Sequence, residues 1–218
     1  PDEILNVVRK GVEYTQFAML TSPSYWMINA SQPWMVTLPW LSSKYTMHRS
    51  LAAMKNAQSL IISPLVRAAR DSKGGLSALR SKVKAENAFN VLDDVIAQIK
   101  ERDPANANNY ISMLEELRRN NVIDLSWIAE LRDISEGINT GKWQKTLDAS
   151  RVMAHLTEVN NRILTAIATY DLARQEAVDN PSMQSASYHA YAIKMAQSAV
   201  SETQFNYSSP NKPRLFQA

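Results

Sequence analysis

The sequence contains no cysteine, and only five of its 218 residues are glycines. Without cysteine the chain can form neither a disulfide framework nor a thiolate metal site, and a cysteine nucleophile is excluded. Four of the glycines fall at breaks in a helical apolar pattern, where glycine commonly ends a helix. Segments in which apolar and polar residues alternate are also lacking. We therefore expect an all-α fold without a sheet.

The residue patterns of common enzymes are missing as well. The sequence has no Gly-x-Ser-x-Gly elbow, no phosphate-binding glycine-rich loop with a lysine and no dinucleotide fingerprint. Its three histidines lie far apart, and His155 with Glu158 gives the order His-x-x-Glu once, whereas a two-metal helical site needs Glu-x-x-His twice. We therefore predict that the chain is not an enzyme and has neither a metal site nor a cofactor.

Charged residues are absent from one long stretch, residues 14–43, which contains three of the five tryptophans, Trp26, Trp34 and Trp40. Three prolines interrupt every window of about 20 residues that a membrane-spanning helix needs. We expect an irregular Pro/Trp-rich segment over 14–43. Two environments suit it: burial against other protein, or a bilayer interface, where an indole is half apolar and half polar.

Cations are concentrated directly after that stretch. Residues 44–84 contain nine lysines and arginines and one acid, whereas residues 85–180 contain sixteen acids and ten bases. A cationic block beside an aromatic uncharged one suits an anionic surface, either lipid headgroups or a nucleic-acid backbone. The alternative is that these charges are the solvated faces of ordinary helices, with the acidic block lying against the basic one.

Two sets of candidate contact residues follow from the aromatic and the cationic blocks. The set for a membrane or a protein partner is Trp26, Trp34, Trp40, Tyr25, Lys44, Arg49 and Lys55. The set for the phosphate backbone of double-stranded DNA, contacted without reading bases, is Arg67, Arg70, Lys73, Arg80, Lys82 and Lys84. One protein can carry both surfaces.

The spacing of apolar residues predicts a bundle of about six to eight helices, in a helical domain over 1–201 that is followed by an extended tail over 202–218. Its predicted parts are basic helices over 44–84, which include one helix from Tyr45 to about Ser72, an acidic helical bundle over 85–180 and an Ala-rich helix over 182–200. The longest pattern runs from Trp143 to Val178. Its coiled-coil-like seam is Leu147, Val152, Leu156, Val159, Ile163, Ile167 and Tyr170.

Three segments match a sequence pattern of one protein family. They are MLTSPSYWMINASQPWMVTLPWLSSKY from Met19, MLEELRRNNVIDLSWIAELRDISEG from Met113 and, above all, ETQFNYSSPNKPRLFQA from Glu202. These segments resemble the C-terminal region of the very large internal virion proteins of short-tailed bacteriophages. In that region Thr-Gln-Phe-Asp-Tyr-Ser and Asn-Arg-Pro-Arg precede Pro-Leu-x-Arg-Phe-Gly. The matching residues are Thr203, Gln204, Phe205, Tyr207, Asn211, Pro213 and Arg214.

The match has two departures and one missing part. Asn206 and Lys212 stand where the family commonly has Asp and Arg, and the Pro-Leu-x-Arg-Phe-Gly sequence itself is not present. Because the first residue is Pro1 rather than Met, we also expect the chain to be a piece of a much larger protein. Residues of the transglycosylase and polymerase domains that occur in such phage proteins are not found here.

The resemblance implies a non-enzymatic structural module of a protein that is packaged in the virion and ejected into the host cell envelope. There it would help to form a DNA-delivery conduit. The implied partners are other phage ejection and core proteins in an oligomeric assembly, the DNA backbone and the host inner membrane. A nucleic-acid-binding helical region of a virion-packaged RNA polymerase or packaging protein is the alternative, and an enzyme of unrecognised type is a third class.

Overall fold

The computed structural model describes residues 23–61, 91–123 and 142–204, and for residues 23–27 and 142–155 it describes the backbone alone. These residues form helices joined by short turns, and within the three ranges there is no strand. The predicted all-α class is confirmed. In chain order the helices are α1 Pro23–Gln32, α2 Leu38–Lys44, α3 Met47–Leu60, α4 Val91–Arg102, α5 Ala107–Arg119, α6 Lys142–Asp179 and α7 Tyr188–Thr203.

The chain divides into two compact units, each assembled from separated segments. Among the described residues, the first unit has 23–32, 91–98 and 142–160. The second has 33–61, 99–123 and 161–204. Helices α4 and α6 each contribute residues to both units, and all residues of the candidate site belong to the second unit.

The described part of the charge-free segment is helical, so the prediction of an irregular segment is wrong for residues 23–43. A π-helical turn, Pro33–Thr37, lies between α1 and α2, and Pro39 is in the first turn of α2. Proline lacks an N–H group, and its ring collides with the carbonyl four residues earlier in a regular α-helix. For Pro39 that carbonyl belongs to Met35, inside the wider π turn. The prolines therefore change the winding of the helix and do not abolish it.

A break at Tyr45 and Thr46 separates α2 from α3, so the helix predicted from Tyr45 to about Ser72 begins two residues later than predicted, at Met47. Tyr45 is extended, with φ −120° and ψ 177°. Thr46 then caps α3, because its Oγ1 accepts the N–H of Arg49 at 3.4 Å. Helix α3 ends at Leu60, and Ile61 is again extended; the rest of the predicted helix lies outside the described residues.

Helix α5 follows its predicted apolar stripe. The side chains of Tyr110, Met113, Leu114 and Leu117 are buried, as their three- and four-residue spacing requires. After α5 the N–H of Val122 donates to the carbonyl of Leu117 at 2.9 Å, and Asn121 takes a left-handed φ of 56°. This is the geometry of a Schellman motif, in which asparagine is the usual substitute for glycine.

Helix α6 is the longest element, and its 38 residues agree closely with the predicted span. The predicted seam is confirmed wherever its side chains are described. Leu156, Val159, Ile163, Ile167 and Tyr170 are each at most 2% exposed. Burial of one such side chain contributes about 1.5–3 kcal/mol, so the part of this stripe in each unit stabilises α6 within that unit. The seam positions Leu147 and Val152 lie where only the backbone is described.

Helix α7 begins and ends later than predicted. A 3-10 turn, Ser185–Ser187, precedes it, and the helix itself runs from Tyr188 to Thr203. Its buried stripe consists mainly of small residues, Ala192, Ala196 and Ala199, which allow a close approach of the neighbouring helices. Because Glu202 and Thr203 are helical, the extended tail does not begin at residue 202 as predicted. Residues 205–218 lie outside the described residues.

One buried side chain in α3 is polar, and its burial is expected to cost stability. Ser50 is 0% exposed, and within the described part of the chain its Oγ has no hydrogen-bond partner. Since an unpaired buried hydroxyl costs about 1–3 kcal/mol, we expect Ser50→Ala to raise the free energy of unfolding by about 1 kcal/mol in a urea titration. The control is Ser59→Ala on the same helix, whose exposed Oγ donates to the Asn56 carbonyl. A loss of stability in Ser50→Ala would contradict the assignment.

Candidate interaction surface

An apolar face lies on the outer side of the π turn and α2. It consists of Met35, which is 69% exposed, Val36, which is 42% exposed, and Pro39, which is also exposed. The inner side of the same stretch is formed by Thr37 and Leu41, both 0% exposed. Isolated exposed apolar residues are ordinary, but adjacent ones in a stretch without charge form a patch of the kind found at binding sites. Met35, Val36 and Pro39 are called the apolar face below.

Two of the predicted tryptophans border the apolar face, and both Trp34 and Trp40 are partly exposed. The indole N–H of Trp40 donates to Oε2 of Glu202 at 2.9 Å, and Nζ of Lys44 lies 4.6 Å from the centroid of its ring. The hydrogen bonds from Ser198 and Trp40, together with the charge of Lys44, hold the pKa of Glu202 below its usual value. Trp40 is therefore held in one orientation while part of its ring contacts solvent.

Three of the predicted cations follow the apolar face along α2 and α3. Lys44, Arg49 and Lys55 are all exposed, and α2 packs against α3. Lys44 is in the last turn of α2, where the helix dipole favours a positive charge. Nη2 of Arg49 is within 3.4 Å of Oε1 of Gln175 on α6. The structure thus places four residues of the first predicted set on the packed helices α2 and α3, namely Trp40, Lys44, Arg49 and Lys55. A fifth, Trp34, is in the π turn that precedes α2.

The side chains of most other predicted site residues lie outside the part of the chain that the structure describes. Tyr25 and Trp26 belong to α1, where only the backbone is described. The predicted DNA-contact set lies entirely outside the described residues, namely Arg67, Arg70, Lys73, Arg80, Lys82 and Lys84. Of the motif residues, Thr203 and Gln204 are described and buried, and the rest lie outside the described ranges: Phe205, Tyr207, Asn211, Pro213 and Arg214.

Beside this surface, α6 carries a half-buried carboxylate, Asp171, that two neighbouring helices share. Oδ1 accepts the phenol of Tyr110 on α5 at 2.7 Å, and Oδ2 accepts Nδ2 of Asn56 on α3 at 3.0 Å. Burial raises the pKa of Asp171, although both hydrogen bonds act in the opposite direction. Burial and the nearby carboxylate also raise the pKa of Tyr110. The carboxylate thus joins α3, α5 and α6.

One turn further along α6, Glu176 joins two more parts of the chain. Its Oε2 accepts the phenol of Tyr45 at 3.2 Å and the phenol of Tyr191 at 2.9 Å. Burial, followed by the charge of Glu176, raises the pKa of Tyr45, and burial with the Glu176 hydrogen bond raises the pKa of Tyr191. Both phenols are therefore protonated donors at neutral pH, and they fix the break between α2 and α3 against α6 and α7.

The arrangement closest to a catalytic one consists of Ser112, His189 and Tyr170. Nε2 of His189 is 3.2 Å from Oγ of Ser112, and its Nδ1 is 2.8 Å from the phenol of Tyr170. A serine beside an imidazole resembles the nucleophile and base of a hydrolase. However, Ser112 lies inside α5, where the backbone N–H groups donate within the helix and none is free to hold an oxyanion. The contacts therefore suit packing of α7 better than acyl transfer.

A buried polar cluster lies behind the apolar face, and sequence reasoning missed half of it. Its members are Thr37, Thr165, Thr203 and Gln204, from the π turn, α6 and the end of α7. Nε2 of Gln204 lies 3.1 Å from Oγ1 of Thr165 and 3.2 Å from Oγ1 of Thr37. Thr203 and Gln204 were named in the sequence analysis only as residues of the family motif, without a prediction of their burial. Nothing in the local sequence of Thr37 or Thr165 distinguishes either from a solvent-facing threonine.

Comparison with known proteins gave no relative: no family model, no curated protein and no solved structure matches the chain. Among the helices that the structure describes, none combines the length and apolar character needed to cross a membrane. The same residues contain no group of three or more side chains placed to hold a metal ion.

Proposed function

We propose that this chain is a non-enzymatic interaction module of an internal virion protein of a short-tailed bacteriophage. On this proposal the protein is packaged in the virion, enters the host cell envelope on ejection and helps to form a conduit for DNA. Its partners are other ejection and core proteins in an oligomeric assembly. The motif residues from Thr203 to Arg214 support the family. The cations over residues 67–84 are proposed, from sequence alone, to contact the DNA backbone.

The observation that carries the interaction role is the apolar face, followed along the chain by three exposed cations on α2 and α3. We assign this surface to the interface of an anionic bilayer. Met35, Val36 and Pro39 would enter the boundary between headgroups and acyl chains, and the partly exposed indoles of Trp34 and Trp40 suit the headgroup level. Lys44, Arg49 and Lys55 are exposed and available to anionic headgroups.

The expected affinity of this surface is modest for one copy. A basic residue near an anionic bilayer contributes about 1 kcal/mol, so the three cations supply about 3 kcal/mol at low ionic strength. Burial of two or three apolar side chains adds a similar amount, at about 25 cal/mol per Å² of apolar surface. A single copy would therefore bind reversibly. Several copies in one assembly would bind much more tightly, because each further contact is intramolecular.

Flotation with liposomes tests this assignment. We expect the parent chain to float with vesicles of phosphatidylcholine and phosphatidylglycerol, and much less with phosphatidylcholine alone. Replacing both Met35 and Val36 with serine should lower the partition coefficient about tenfold, which corresponds to about 1.4 kcal/mol. Both side chains are exposed, so their replacement should leave the fold intact.

The matched control is Val178→Ser, because Val178 is 58% exposed but belongs to the end of α6, outside the apolar face. This variant should bind vesicles like the parent. If the parent does not float with anionic vesicles, or if the control loses as much binding as the double variant, the bilayer assignment fails.

A further inference from the structure

The end of α7 contacts the π turn and α2 at two separate places. The first contact is buried and involves Thr37, which is 0% exposed. Its Oγ1 lies 3.2 Å from Oγ1 of Thr203 and 3.2 Å from Nε2 of Gln204. Thr37 is the last residue of the π turn and stands beside Val36 of the apolar face. The position of the apolar face is thus tied to the last residues of α7.

The amide of Gln204 adds hydrogen bonds to this buried cluster through its Nε2, while its Oε1 is buried without a partner among the described residues. The hydroxyl of Thr203 donates to the carbonyl of Ala199 at 2.7 Å, so towards Thr37 it acts as an acceptor. Oγ1 of Thr37 and Oγ1 of Thr165 are 3.0 Å apart, so one of these two hydroxyls can donate a hydrogen bond to the other. Nε2 of Gln204 carries two hydrogens that can be donated, and it lies within 3.4 Å of three hydroxyl oxygens. Because Thr37 donates to Thr203, Thr165 is left to donate to Thr37. Loss of Gln204 would therefore leave the hydroxyl oxygen of Thr165 without a donor.

The second contact is exposed and is made by Glu202, the residue before Thr203. Oε2 of Glu202 accepts the indole N–H of Trp40 at 2.9 Å, while its Oε1 accepts the hydroxyl of Ser198 at 2.6 Å. The serine therefore orients the carboxylate toward the indole. Lys44 lies on the ring of Trp40 and adds a favourable charge interaction with Glu202. This contact fixes α2 at Trp40, three residues after the buried contact at Thr37.

Helix α2 needs such contacts, because its own structure is weak. It has seven residues, and isolated helices shorter than about 12–15 residues are marginal in water. The π turn before it is a rare form of helix that occurs chiefly as a single turn. Leu41 is the one residue within α2 that is fully buried. Tertiary contacts therefore decide whether residues 33–44 keep their shape.

We infer that residues Ser198–Gln204 form a clasp that holds the π turn and α2, and with them the apolar face, in their observed conformation. Glu202 and Gln204 are the positioning residues of this clasp. The inference goes beyond the proposed function and rests on it only for the identity of what the face binds. It means that an event at the end of α7, such as a partner contact or a change in the chain that follows, alters the interaction surface.

Hydrogen exchange on the full chain tests the clasp. In a variant with Glu202→Ala and Gln204→Ala, we expect amides of residues 33–44 to exchange about tenfold faster or more, which corresponds to a local loss of about 1.4 kcal/mol. Amides of α5, residues 107–119, should stay within about twofold of the parent. The control Ser201→Ala changes an exposed residue of the same turn and should change neither region.

Two results would overturn the clasp: unchanged exchange in residues 33–44, or an equal increase there and in α5, which would indicate general destabilisation. If the double variant does not fold, Glu202→Ala alone provides the same comparison, because its side chain is exposed. Flotation of the same proteins separates this inference from the proposed function. If residues 33–44 exchange faster in the double variant but the parent does not bind vesicles, the clasp is supported and the bilayer assignment fails. If their exchange is unchanged but the parent floats with vesicles, the clasp fails and the bilayer assignment is supported.

Discussion

Replacing Leu41 with alanine is expected to lower the free energy of unfolding by about 3 kcal/mol, within the range of about 2–5 kcal/mol for buried leucines. Leu41 is 0% exposed and is the apolar residue through which α2 packs within the second unit. Its loss removes buried apolar surface and leaves a cavity under the apolar face. Urea denaturation followed by circular dichroism measures the effect, as a lower midpoint at an unchanged slope.

The control for Leu41 lies six residues earlier in the chain. Met35 is 69% exposed, and Met35→Ala is expected to change the free energy of unfolding by no more than about 0.5 kcal/mol. The two substitutions thus compare the stability contributions of a buried and an exposed side chain in one helical stretch. Equal losses of stability in the two variants would mean that α2 is not packed as described.

Replacing Tyr110 with phenylalanine is expected to cost about 2 kcal/mol at neutral pH, because a hydrogen bond to a charged, half-buried group is worth about 1.5–3 kcal/mol. The phenol donates to Oδ1 of Asp171 at 2.7 Å. The ring itself remains in edge contact with Tyr170, with centroids 5.8 Å apart, so only the hydroxyl is lost. Tyr191→Phe is the control, since its phenol donates to the exposed Glu176, and it should cost about 0.5 kcal/mol.

The cost of Tyr110→Phe should depend on pH in a defined direction. Burial raises the pKa of Asp171 above its ordinary value of 3.8, so the folded protein binds this proton more tightly than the unfolded chain. The contribution of this carboxyl to stability therefore falls as pH rises from 3.8 through the folded pKa. Without the phenol the charged form loses a donor, and the pKa of Asp171 rises further.

The difference between parent and Tyr110→Phe should consequently be largest near neutral pH and shrink as the carboxyl becomes protonated. Urea titrations at about pH 4 and about pH 7 measure it. Asp171→Asn removes the titrating group, and its stability should vary less with pH over this interval. The same cost for Tyr110→Phe at both values would exclude the charged hydrogen bond as its cause.

Local periodicity was sufficient to predict much of the fold. In α5 the spacing of Tyr110, Met113 and Leu114 is local information, because a helix repeats within a few residues, and all three are buried as expected. The seam of α6 was predicted for the same reason. The proline-rich segment was predicted incorrectly, because prolines usually end helices, and the compensation by a π turn depends on packing that no local pattern records.

Contacts between residues far apart in the chain could not be predicted from the local sequence. Thr37 and Gln204 are 167 residues apart in sequence but joined by a hydrogen bond. Asn56 and Asp171 are joined over 115 residues. The sequence around a buried polar residue of this kind looks the same as the sequence around a polar residue on a solvent-exposed face. The indole at Trp40 and the cation at Lys44 were predicted from composition as candidate contacts with a membrane or a protein partner, whereas their partner Glu202 could be identified only in the folded chain.

Helix α6 has one further consequence for how the sequence can vary. Within about three turns it presents Thr165 to the π turn, Tyr170 to α7, Asp171 to α3 and α5, and Glu176 to the α2–α3 break. Each additional residue in an α-helix turns everything after it by about 100°. A one-residue insertion or deletion between Thr165 and Glu176 would misalign several neighbours at once. Length changes should therefore be confined to turns, such as the one between α6 and α7.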